Sequence, residues 1–116
     1  MMRAQTKIIL LFVLLVFSYR GASQNIQKVD SLNNLLINCI NDTCRCRIYI
    51  KLGDLYEQSF PDTAIYYYKK CLKIAENKKM IGPAATSYKY IGIVHYNQGK
   101  YNESVLSYLK AIDLFK

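Results

Sequence analysis

Two glycines in matching amphipathic runs, Gly53 after Leu52 and Gly92 after Ile91, constrain this chain more than any other feature. A glycine inside a helix costs about 1 kcal/mol relative to alanine, so a pair in equivalent surroundings marks places where helix backbones must approach closely. With the glycines superposed, Tyr49 falls on Tyr88, Leu52 on Ile91 and Tyr56 on His95. Steps of three and four residues put these side chains on one helix face. A second amphipathic run follows each, in which Ala64, Tyr68 and Cys71 answer Ser104, Tyr108 and Ala111 at the same internal spacing. The small residue comes 11 positions after Gly53 and 12 after Gly92, and the unit recurs after 39. The pattern predicts an all-α chain of helix-turn-helix units in series.

At these residues the sequence resembles the tetratricopeptide repeat, whose signature is an aromatic, Leu-Gly and Tyr on one helix, then Ala, Tyr or Phe, and Ala on the next. The second unit, from Tyr88 through Ile91-Gly92, His95, Gly99, Tyr101, Ser104 and Tyr108 to Ala111, carries the pattern almost throughout, with His95 where Tyr is usual. In the first unit Cys71 replaces the last Ala, and Pro61 stands at the expected first helical position, where its missing N–H costs nothing. The resemblance implies an α-solenoid of about two repeats, 43–79 and 83–116, behind a leading helix at 24–42. The period exceeds the family's usual 34, and the excess is expected in a linker from Asn77 to Pro83.

The first 23 residues read as a secretory signal peptide. Arg3 and Lys7 precede an unbroken apolar run, Ile8 to Phe17, and Gly21-Ala22-Ser23 supplies small residues ahead of a cleavage point near Gln24. The alternative is an uncleaved anchor, but ten apolar residues at about 1.5 Å each cover only half a bilayer core. Removing the segment lowers the formal charge from +8 to +5 and leaves 13 basic and 8 acidic residues. The densest basic group, Lys69, Lys70, Lys73, Lys78 and Lys79, reads as a solvated helix face with lysines near the negative helix end. A nucleic-acid partner is not expected, because such a surface interleaves its charge with exposed aromatics.

About 93 residues then remain, one small domain. Asp30 and Ser31 are good helix-start residues, and Leu32, Leu35, Leu36 and Cys39-Ile40 make an apolar stripe, so 24–42 is expected to add a helix. Asn41-Asp42-Thr43 should end it and cap the next. The last helix, from about Asn102, carries Val105, Tyr108, Leu109, Ile112 and Phe115 with nothing polar to cover them. Either that face pairs with another surface or further C-terminal repeats follow. By resemblance the second is favoured, since Asn41-Asp42-Thr43 and Pro61-Asp62-Thr63-Ala64-Ile65 are similar to exported tetratricopeptide segments that begin sensor kinases and regulators of Bacteroidetes-type bacteria.

Catalysis is not expected. The one histidine, His95, holds a repeat-core position and reads as a partly buried, hydrogen-bonded packing residue; the glycines punctuate repeats, and the eight carboxylates form no convincing acid/base pair. No cofactor is implied, and Cys44-x-Cys46 lacks the spacing of a metal or redox pair. For the four cysteines, Cys39, Cys44, Cys46 and Cys71, two readings stay open: small buried hydrophobes, or disulfides favoured by an oxidising compartment, with three possible pairings.

A protein or peptide is the expected partner. In such solenoids the first helix of each repeat lines the concave face, and stepping from the core stripe gives Arg47, Ile50, Asp54 and Glu57, then Thr86, Lys89, Ile93 and Tyr96. Tyr96, Ile50 and Ile93 would form the apolar centre. The family's carboxylate-clamping members use Lys and Asn one turn apart where this chain has Ile50 and Asp54, so that ligand is disfavoured. The rival readings are a structural subunit that oligomerises through its last helix, a catalytic accessory, and a truncated frame without independent function.

Overall fold

The computed structural model describes the backbone of residues 2–116 and the side chains of 5–14 and 25–116. Over these residues it is all-helical, with five helices: α1 Met2–Ile37, α2 Asp42–Tyr56, α3 Pro61–Asn77, α4 Ile81–Asn97 and α5 Tyr101–Asp113. Two compact units divide it, Met1–Ser31 and Leu32–Lys116. In the first, Ile8 to Leu14 are exposed along α1. No helix over the described residues is long and apolar enough to cross a membrane. The expected processing region, Gly21 to Gln24, lies outside the described side chains.

The second unit holds two helical hairpins. α2 packs on α3 and α4 on α5, while α3 packs on α4 and α2 also touches α4. The start signals of the first hairpin act as the sequence suggests. Asn41 caps α2, its side chain accepting from the Cys44 N–H at 2.8 Å, and Pro61 opens α3.

Three boundaries differ from expectation. Asp30 and Ser31 sit inside α1, because the residues before them continue the helix and leave no free N-terminus to cap. That helix also ends at Ile37 and not near Asn41, so Ile40 lies beyond it, 93 % exposed and outside the apolar stripe. The linker expected from Asn77 to Pro83 shrinks to Lys78, Lys79 and Met80, because Ile81-Gly82-Pro83 forms the first turn of α4. A proline so near a helix start is tolerated, since its N–H would have no intrahelical partner there. The longer period therefore resides largely in helix, with 17 residues in each of α3 and α4.

The ends of α3 and α4 use the same Schellman motif. Met80 N–H reaches the Ala75 carbonyl at 2.8 Å, and Lys100 N–H reaches that of His95 at 2.8 Å. The left-handed residue is Gly99 in one case, at φ 77°, but Lys79 in the other, at φ 53°. A side chain in that region costs about 1 kcal/mol. Lys79→Gly is accordingly expected to raise stability by about 0.5–1 kcal/mol, read from urea midpoints, and an unchanged or lower midpoint would contradict it.

Candidate functional site

The first hairpin closes on Gly53. A Cβ there would lie 2.7 and 2.8 Å from Cδ1 and Cζ of Tyr68, with Cε1 closer still, so the Tyr68 ring rests directly on the α2 backbone. That ring is fully buried, and its hydroxyl escapes at the far end to donate to Asp54 Oδ1 at 2.7 Å. Burial first, and then this bond, push the Tyr68 phenol well above its usual range. Gly92 faces Tyr108 in the same way but more loosely, at 3.0 to 3.2 Å from the ring. Here Ser104 donates to the Gly92 carbonyl at 2.8 Å, a bond the first hairpin lacks because Ala64 stands in that place.

Of the sequence-assigned core, Leu52, Gly53, Ala64, Tyr68, Cys71, Ile91, Gly92, Ser104 and Ala111 are buried, while Tyr49, Tyr56, Tyr88, His95 and Tyr108 are half-buried. Tyr67 of α3 stacks between Tyr49 and Tyr56, with ring centroids 6.4 and 5.7 Å away. Tyr88 donates to Glu76 Oε1 at 2.5 Å, a bond that, with burial, lifts its phenol to about 12. His95 departs from the expected hydrogen-bonded packing residue: its Nδ1 is buried without a hydrogen-bond partner. The sequence reading missed Ala84, Ser87 and Val94, which with Ile91 form the buried stripe of α4. Their spacing of three, four and three was the available signal.

The cysteines divide evenly. Cys39 and Cys44 form a disulfide across the turn between α1 and α2, while Cys46 and Cys71 are free and buried. Burial, and then the neighbouring Cys71, push the Cys46 thiol up to about 12, so it is a packed apolar group and not a nucleophile at neutral pH. Among the described residues no group of three or more His, Cys, Asp or Glu is arranged to hold a metal ion.

The sequence-assigned groove splits into two hollows. The first, about 500 Å³, lies between α2 and the start of α4 and is lined by Thr43, Cys46, Arg47, Ile50, Lys51, Asp54, Gly82, Pro83 and Thr86. Of the sequence-assigned groove residues, Arg47, Ile50, Asp54 and Thr86 line this hollow together. The second, about 440 Å³, lies between α4 and α5, where Thr86 and Lys89 join Ala85, Tyr108, Ala111, Ile112 and Phe115. Glu57, Ile93 and Tyr96 line neither hollow. Tyr96 instead sets its ring edge-on against Tyr101, at 5.4 Å, so the apolar centre of the first hollow is Ile50. Glu57 stays beside Asp54, and partial burial followed by that carboxylate pushes its own carboxyl upward.

The polar groups of the first hollow are not equivalent. Asp54 already accepts from Tyr68, whereas Arg47 and Lys51 enter none of the ion pairs found among the described residues. Gly82 leaves a clear space, with nothing within 4 Å of where a Cβ would stand. Searches against known protein-family models, curated proteins and solved structures each find no match.

Proposed function

We propose that this chain is an exported helical-repeat scaffold, of the tetratricopeptide kind, that binds a protein or peptide in the hollow between α2 and α4. The observation that carries the reading is the hollow itself: an apolar floor at Ile50, a notch at Gly82, and two cations, Arg47 and Lys51, left without acidic partners. Such a concave, mostly apolar site with a few polar groups suits a peptide side chain and its flanking backbone. Export is supported by the charged start and short apolar run of the N-terminal segment, and the Cys39–Cys44 disulfide is at home in an oxidising compartment. A sensory role ahead of a signalling part is the wider expectation from sequence resemblance, with binding and not catalysis as the activity.

Gly82 supplies the test. Gly82→Leu adds a side chain where Gly82 lines the hollow, with nothing within 4 Å of its Cβ, although a Cβ just before Pro83 disfavours helical backbone there and costs some stability. With mature protein taken from its host, whose N-terminus should lie near Gln24, a pull-down identifies the partner. The variant is then expected to bind that partner at least about tenfold more weakly while keeping the helical circular dichroism of the parent. Undiminished binding by the folded variant would remove this hollow as the site.

A further inference from the structure

The turn that joins α1 to α2 is held several times over. Cys39 N–H reaches the Leu36 carbonyl at 3.2 Å, Asn41 caps α2 through the Cys44 N–H at 2.8 Å, and Arg45 donates both to Asp42 Oδ1 at 2.9 Å and to the Cys39 carbonyl at 3.4 Å. The Cys39–Cys44 bridge is laid over these bonds, across a sequence separation of only 5. A bridge that closes so short a ring restrains the unfolded chain less than one that closes a long loop. α2 is besides anchored by its packing on α3, so the first hairpin does not depend on the bridge to stay folded.

The two sulfurs are not alike in their surroundings. Cys39 is 9 % exposed, whereas Cys44 is only half-buried and stands in the first turn of α2. The start of a helix carries a positive character from its free N–H groups. Arg45 adds a guanidinium against the Cys39 carbonyl, and Asp42, the acid of this turn, is shared between Arg45 at 2.9 Å and Lys78 at 4.0 Å. Electropositive and partly accessible surroundings are those in which cysteine sulfur exchanges, and the buried thiols of Cys46 and Cys71 lack that access.

We propose that Cys39–Cys44 is a thiol–disulfide exchange site, in which Cys44 carries the mixed disulfide and Cys39 is the resolving thiol. An incoming thiolate attacks Cys44 Sγ, the more accessible sulfur, and the positive turn favours its approach. The Cys39–Cys44 bond breaks, its electron pair leaves on Cys39 Sγ, and that sulfur takes a proton from water. A second thiol then displaces Cys44 from the mixed disulfide. Two thiols are thereby oxidised to one disulfide, and the two electrons they give up reduce the bridge to two thiols. Run in reverse, the reduced pair reduces a disulfide by the same steps. The site is separate from the Gly82 hollow and needs no partner there.

The probe is glutathione, added at rising concentration to the oxidised protein in native buffer, with acid quenching and mass spectrometry of the peptides. The bridge is expected to open at a rate proportional to the thiol concentration while the helical circular dichroism is kept. The transient glutathione adduct should sit on Cys44, with Cys46 and Cys71 unmodified. Cys39→Ser should let oxidised glutathione form an adduct on Cys44 that persists, since no thiol remains to resolve it, whereas Cys44→Ser should form none. Opening that waits for urea, a rate indifferent to glutathione, an adduct on Cys39, or loss of helix on reduction would each overturn the proposal, and the bridge would then be a brace of the turn.

Discussion

Gly53→Ala should be the most damaging single-methyl change in this chain, lowering stability by several kcal/mol, whereas Gly92→Ala should cost no more than about 1–2 kcal/mol. The added Cβ at 53 would overlap three atoms of the Tyr68 ring. That ring is sealed on its other side by Tyr90, stacked at 5.3 Å, and is held at its tip by Asp54, so it has no direction in which to yield. At 92 the contacts begin at 3.0 Å, and half-buried Tyr108 opens toward the uncovered side of α5, where a shift of a few tenths of an ångström is available. Better helix propensity returns about 1 kcal/mol in both variants and can make Gly92→Ala nearly neutral. Urea denaturation of the two proteins measures the difference. Equal losses would mean that the two contacts are alike in tightness, and a double variant with Tyr68→Leu, which relieves the overlap, should lose much less than the sum of the single changes.

Tyr68→Ala is the second large effect, expected to cost about 3–5 kcal/mol, because it empties the centre of the first hairpin between Gly53, Ile91 and Val94. Tyr68→Phe separates the ring from its hydroxyl. Asp54 is exposed and regains water when the bond is lost, so this change should cost only about 1 kcal/mol. Tyr108→Ala, at the matching place, should cost clearly less than Tyr68→Ala, since nothing covers its outer side. Chemical denaturation of all three decides the order, and a Tyr108→Ala loss as large as that of Tyr68→Ala would mean that α5 is held by more than its contact with α4.

That Gly53 and Gly92 sit in close contacts was legible in the sequence because each glycine carries a local cost that only a close contact explains, and the pattern occurs twice; the expected partner was another helix backbone, and the structure puts the rings of Tyr68 and Tyr108 there instead. The caps at Asn41 and Pro61 were legible for a similar reason, as each residue type matches one backbone position. The start of α4 was not. Met80 provides no capping side chain, and Gly82-Pro83 has the look of a loop, so the wall of the first hollow was read as a linker. Tyr96 was misplaced because each residue turns about 100° around a helix, and stepping three or four positions from a core stripe reaches both the groove and its outer shoulder. Asp30-Ser31 has helix-start chemistry, yet chemistry at two positions does not end a helix that already continues through them. The cysteine pairing was open in principle, since four cysteines allow three arrangements and only the turn after Ile37 brings Cys39 to Cys44.

The serial contacts of the second unit set an order of loosening along it. α3 is gripped by α2 on one side and α4 on the other, and α4 touches three helices, but α5 rests on α4 alone. Peeling α5 away therefore breaks one interface where opening the middle of the chain breaks several, and the backbone amides of α5 sit at the low end of a gradient in opening free energy.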